Sequence, residues 1–137
     1  VASDVWSCPS FNELRRDGMA AARWNLLHPT EKPRLSHVEQ CLGPTQGPVV
    51  ASTDYVRTFA DQIREYVPRR YKVLGTDGFG RSDSRENLRR FFEVNRFHVT
   101  VAALKALAED GEVPPAKVAE ALKRYGIDPE KPAPWTV

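Results

Sequence analysis

The sequence predicts an α/β fold with parallel strands, and three observations carry that expectation. Short apolar runs at Val5, Trp6 and Cys8, at Val49, Val50 and Ala51, and at Tyr71, Lys72, Val73 and Leu74 have the length and composition of buried strands. Each run leads toward a segment whose apolar residues fall at helical spacing, and strands alternating with helices point to layered β-α-β packing. A chain of 137 residues with 41% hydrophobic content is also the size of one ordinary domain with a core of its own.

Val5, Trp6 and Cys8 form the first expected strand, stopped by Pro9. Ser10 with Glu13 has the S-x-x-E form of a capping box, so a helix should run from Phe11 toward Leu27. Its apolar positions are Phe11, Leu14, Ala21, Ala22 and Leu26, and Gly18 should weaken its middle. Between His28 and Pro48 the chain holds four prolines and two glycines, which predicts a long connection with little regular structure. Val49, Val50 and Ala51 make the second strand, with Ser52 or Thr53 placed to cap the next helix. Val56, Phe59, Ala60, Ile63 and Val67 then lie on one helical face, leaving Arg57, Asp61, Arg64 and Glu65 for solvent, and Pro68 ends that helix.

The third strand, at residues 71–74, runs into a glycine-rich loop of Gly75, Thr76, Asp77, Gly78, Phe79 and Gly80. Asp83 with Glu86 offers a cap for a helix containing Leu88, Phe91 and Phe92. Asn95 caps another, striped by Phe97, Val101, Leu104 and Ala108 and stopped at Gly111. Pro114 and Pro115 restart the chain into a short helix lined by Val118, Ala119, Leu122 and Tyr125 and ending at Gly126, and the proline-rich tail should lie on the surface.

Bulk chemistry narrows function by exclusion. The formal charge of +2 gives no strong field toward nucleic acid or a membrane surface, and no apolar run approaches the roughly 20 residues of a membrane span. Cys8 and Cys41 are too few for a disulfide framework and nothing near the start resembles a secretion signal, so the expectation is a cytoplasmic chain with reduced thiols. The sequence opens at Val1 rather than Met, on what reads as the approach to a strand, and the expectation is a chain cut from something longer.

Candidate chemistry centres on the loop carrying Gly75, Asp77, Gly78, Phe79, Gly80, Arg81, Ser82 and Asp83. It follows a strand and precedes a helix, where backbone amides can hold an anion, yet its glycines lack G-x-G-x-x-G spacing and no Gly-Lys-Ser/Thr comes after them. Three readings stay open: a small-anion site, a turn whose glycines need positive φ with Phe79 packed into its own core, or an interface formed by Phe79 and Arg81 with Asp83 capping the next helix. His37 and Cys41 are four apart and can share a helix face, but a zinc site needs three or four ligands. Arg15-Arg16, Arg69-Arg70 and Arg89-Arg90 are basic pairs, the last joined by Arg81, Arg85 and Arg96, and Asp83, Glu86 and Glu93 sit among that last group, which favours ion pairs or a protein interface over nucleic acid.

The stretch Gly75-Thr76-Asp77-Gly78-Phe79-Gly80-Arg81-Ser82-Asp83-Ser84-Arg85-Glu86-Asn87-Leu88-Arg89-Arg90-Phe91-Phe92-Glu93-Val94 closely resembles the C-terminal region of homodimeric bacterial pyruvate dehydrogenases. Ser10-Phe11 with Glu13-Leu14, Arg23-Trp24-Asn25 with Leu27-His28-Pro29, and Val50-Ala51-Ser52-Thr53-Asp54-Tyr55 are similar to the same family in the same order, so the resemblance covers essentially the whole chain. More distantly, Phe79-Gly80 with Ser82, Leu88 and Phe92, then Ala102, Ala103 and Leu107, is similar to the transketolase C-terminal pattern.

The resemblance implies a three-layer α/β/α fold with a mixed, mostly parallel sheet, lacking its N-terminal strands, and residues 1–137 as part of the C-terminal domain of a larger thiamine-dependent enzyme. It implies an oxidoreductase that decarboxylates pyruvate with thiamine diphosphate and magnesium and passes the acetyl unit to a lipoyl group. The implied partners are the enzyme's other domains, a homodimer subunit and a dihydrolipoamide acetyltransferase core. The thiamine motif itself, opening with Gly-Asp-Gly and closing with paired asparagines, has no counterpart here, and the family's catalytic histidines lie upstream, so His28, His37 and His98 inherit no role. The expected role of this segment is therefore non-catalytic, organising dimer and complex; the rival is a free-standing module binding a small anion at residues 75–83.

Overall fold

A computed structural model describes residues 2–137. Helix α1 (Phe11–Leu27) begins as its sequence requires: Ser10 is extended and its hydroxyl accepts a hydrogen bond from the Glu13 amide at 3.2 Å. Glu13 does not complete the box, because its carboxylate accepts from Arg16 one turn on. The expected weak point at Gly18 is instead a buried contact. A Cβ there would lie 2.4 Å from the Tyr66 ring, so glycine is what lets that ring pack against the helix backbone.

Two strands, β1 (Val49–Ser52) and β2 (Tyr71–Leu74), pair in parallel with Val49 opposite Tyr71 and Ser52 opposite Leu74. The two-residue alternation then sorts the sheet's neighbours. Val49, Ala51 and Val73 pack with Tyr71 on a core of Val38, Ile63, Tyr66 and Val67, which brings in Phe11 and Leu14 of α1. The opposite face carries Lys72, whose ammonium pairs with Glu109 at 3.0 Å, and Ser52, whose hydroxyl donates to the Val94 carbonyl at 3.3 Å. Helix α5 (Arg96–Glu109) lies there, capped by Asn95 and packed on α6 (Pro115–Arg124), with Ala106 and Ala121 buried. Helices thus cover both faces of the parallel pair, the α/β layering expected.

The structure corrects four local expectations. Val5, Trp6 and Cys8 form no strand; Val5 is 94% exposed, because the backbone of an extended segment is stable only beside a hydrogen-bonded neighbour and none lies alongside. The connection after α1 contains a helix, α2 (His37–Leu42), held by a complete capping box in which the Glu39 amide donates to the Ser36 hydroxyl and the Ser36 amide to the Glu39 carboxylate. The long helix expected from Val56 to Val67 is α3 (Arg57–Asp61) followed by a separate 3-10 turn, Arg64–Tyr66. Two carbonyls that would have extended it are taken: the Gln62 side-chain amide donates to Phe59 at 2.7 Å and the Tyr71 hydroxyl to Ala60 at 2.8 Å. Neither Ser52 nor Thr53 caps α3, whose N-cap is Val56; the Thr53 hydroxyl accepts from the Tyr55 amide instead.

Candidate functional site

The loop after β2 divides into a pinned half and an open half. Gly75 is buried where the chain crosses the β1–α3 connection, and a Cβ would come within 2.7 Å of the Arg57 nitrogen and 2.8 Å of the Tyr55 carbonyl oxygen. The Thr76 amide donates to that same Tyr55 carbonyl at 2.8 Å and its hydroxyl to Asp54 at 2.6 Å. Asp77 then substitutes for a cap: its Oδ1 accepts from the Arg57 amide at 3.1 Å, at the first residue of a helix whose own N-cap supplies no side-chain acceptor. Its Oδ2 lies 3.2 Å from Arg57 Nε, an ion pair too bent to be a hydrogen bond.

The C-terminal tail closes over this half. Gly78 has φ 117°, and a Cβ would meet the Pro134 carbonyl at 2.7 Å and Trp135 Cα at 3.0 Å. The tail's 3-10 turn, Pro134–Thr136, buries Pro134, and the Arg57 guanidinium lies 5.0 Å from the centre of the Trp135 ring. The expectation of a surface tail therefore fails at Pro134. Of the loop's three glycines only Gly78 needs a positive φ; Gly75 serves close approach, and Gly80 has neither constraint.

The second half projects. Phe79 is 76% exposed, which overturns the reading in which its ring packs into the chain's own core. Gly80, Arg81, Ser82 and Asp83 are exposed as well. The Arg81 guanidinium carbon sits 4.0 Å from the centre of the Phe91 ring, a cation–π contact at the end of α4 (Arg85–Phe91). Asp83 is not the N-cap of that helix; Ser84 is, with its hydroxyl accepting from the Asn87 amide at 3.3 Å. Asp83 Oδ1 instead accepts from the Asn87 side-chain amide at 2.8 Å and the Ser84 amide at 2.6 Å, and these two bonds, the Asn87 one foremost, hold its carboxyl below the usual range. Arg81, Ser82, Asp83, Asn87, Leu88 and Phe91 line a shallow concavity.

This arrangement suits contact better than catalysis. At the start of α4 the Asn87 amide is taken by the Ser84 hydroxyl and the Ser84 amide by Asp83, and the Asp83 carboxylate would repel an anion placed there, so the small-anion reading finds no support. His37 and Cys41 do share a helix face, with Nε2 3.4 Å from Sγ, but among the described residues no three His, Cys, Asp or Glu side chains gather as a metal site. The residues present also do not fit thiamine diphosphate and its metal: Asp77, the acid nearest the glycines, is committed to Arg57. Among the described residues no helix is long and apolar enough to cross a membrane. Sequence reasoning missed the Arg57–Trp135 contact and the pairing of Arg81 with Phe91, since nothing local in the sequence announces that the tail returns to the loop.

Comparison with known proteins agrees with this geometry. A family model described as the transketolase-like TK C-terminal domain matches residues 1–95. The chain is 65% identical over all 137 residues to the pyruvate dehydrogenase E1 component of Cupriavidus necator. It is 64% identical to the protein of that name from Pseudomonas aeruginosa and 54% to that from Escherichia coli K12, each over 98% of the chain. In each case it spans about 15% of the relative's length. The α/β layering and the loop after β2 are accordingly those of a family unit: the chain belongs to the transketolase-like TK C-terminal domain family.

Proposed function

We propose that the chain is a C-terminal portion of a cytoplasmic pyruvate dehydrogenase E1 component, in which it organises assembly and supplies no catalytic group. The observation that carries this is identity of 54% to 65% along essentially the entire chain to proteins of that name. The activity belongs to the complete protein: decarboxylation of pyruvate with thiamine diphosphate and magnesium, then reductive acetylation of a lipoyl group. Within it, the exposed Phe79 and Arg81 meet a neighbouring domain or subunit, and the dimer, the enzyme's remaining domains and the acetyltransferase core are the partners. The pinned half of the loop, fixed by Asp77 and the Pro134–Thr136 turn, presents those two side chains from a rigid base.

Two assays test the reading. The complete protein should release carbon dioxide from pyruvate only with the cofactor and magnesium present. The 137-residue chain, titrated calorimetrically with both, should give no saturable heat. A complete protein inert toward pyruvate, or micromolar cofactor binding by this chain alone, would overturn it.

A further inference from the structure

Helix α2 sets a nucleophile beside a base, a pair for which the assembly reading has no use. His37 and Cys41 stand one helical turn apart, and Cys41 Sγ lies 3.4 Å from His37 Nε2. With its own proton on Nδ1, the imidazole accepts the thiol proton at Nε2, which is how a histidine activates a neighbouring cysteine. The spacing is held by groups other than the two side chains: the Ser36–Glu39 capping box fixes the first turn, the His37 amide donates to the Asp17 carboxylate of α1, and Val38 is buried in the core. His37 is exposed and Cys41 half-buried, so a small reagent can reach the pair from solvent. Cys8 is the contrast within the same chain. It is also half-buried, but no imidazole contacts it and burial pushes its thiol up, opposed only by a hydrogen bond with the Ser10 backbone.

We propose that Cys41 is a site of reversible S-thiolation, in which His37 Nε2 takes the thiol proton as Sγ attacks the disulfide of an oxidised low-molecular-weight thiol. The new sulfur–sulfur bond forms as the reagent's own breaks. Cys41 and one half of the reagent end as a mixed disulfide, while the other half leaves reduced, as a thiolate that takes up the proton held by His37. Both cysteines of the chain are free, so the disulfide that consumes Cys41 comes from outside it. Among the described residues no third His, Cys, Asp or Glu joins the pair to make it a metal site. A free thiol is only a few per cent ionised near pH 7, so a base that removes its proton as attack begins raises the rate by about tenfold. None of the residues at 75–83 takes part, and this inference stands independently of the assembly reading.

The complete protein, incubated with oxidised glutathione near pH 7 and digested without reductant, tests it by peptide mass spectrometry. Cys41 should acquire one glutathionyl group about ten times faster than Cys8 and lose it with dithiothreitol. His37→Gln should slow Cys41 about tenfold and leave Cys8 unchanged. That variant keeps the backbone amide that bonds Asp17, and an unaltered melting temperature would show that the slowing is chemical rather than structural. Free imidazole should restore part of the rate to His37→Ala. A Cys41 that reacts no faster than Cys8, or equally fast without His37, would overturn the proposal. So would a disulfide from Cys41 to another cysteine of the complete protein in place of the glutathionyl adduct.

Discussion

Gly18→Ala should destabilise the chain although the same change in an open helix would stabilise it. Glycine in a helix interior costs about 0.8–1.0 kcal/mol relative to alanine, so propensity alone favours the substitution. The structure opposes it: the new Cβ would stand 2.4 Å from Cδ2 and Cε2 of Tyr66 and 2.6 Å from Cζ, whereas carbon atoms rest at about 3.5–4.0 Å. The ring must retreat by roughly 1 Å, and it belongs to the core with Val38, Ile63, Val67 and Tyr71. Overpacking of this kind costs about 1–3 kcal/mol, leaving a net loss of up to about 2 kcal/mol after the propensity gain. For 137 residues that lowers Tm by about 3–4 °C per kcal/mol. Urea melts of Gly18→Ala, Tyr66→Leu and the double variant check it, with Ala20→Gly on the exposed face of α1 as the propensity control. The double variant should lose less than the sum of the two. A Gly18→Ala chain more stable than the parent by about 1 kcal/mol would refute the contact with Tyr66.

Phe59→Ala should cost toward the lower end of about 3–5 kcal/mol, because Phe59 is half-buried between the Phe11 and Tyr55 rings at 5.8 and 4.9 Å. Arg57→Ala, which helical spacing marks as silent, should cost about 1 kcal/mol in the same melts, since Arg57 packs between Asp77 and Trp135. Burial pushes the Tyr71 phenol far above its ordinary value of 10.0, with Asp61 adding to the effect. Its raised value means stability is full below pH 10 and falls as pH rises beyond it, so an alkaline ultraviolet titration should show one tyrosine ionising only as the chain unfolds. His98 is shifted the other way, below 6.5, mainly by burial, with Lys131 and Arg90 lowering it and Glu93 opposing. Stability should therefore be full above pH 6.5 and decline as pH falls below it, and His98→Gln should flatten that part of the profile.

Much of this architecture is legible in the sequence because the signals are local. Ser10 marks the start of α1, Asn95 that of α5, and the apolar runs at Val49 and Tyr71 become the two strands. Reading failed where a distant group decides. The periodicity from Val56 to Val67 is helical, but the Tyr71 hydroxyl, arriving from β2, removes the Ala60 carbonyl from the helix. Val5 and Trp6 have strand composition, yet composition does not supply a neighbouring strand. The capping box at Ser36 is present in the residues but is outweighed by the surrounding prolines and glycines. At the loop, glycine spacing and the exposed run of Phe79 and Arg81 mark the site, whereas its division into pinned and open halves depends on Arg57 and the returning Trp135.

Sedimentation equilibrium of the complete protein carrying both Phe79→Ala and Arg81→Ala, with pyruvate decarboxylation measured on the same samples, tests the central claim most directly. An assembly role without catalytic groups predicts a weakened dimer, with activity per dimer preserved once the protein is concentrated enough to reassociate. An unchanged dimer, or activity lost while the dimer stays intact, would contradict it.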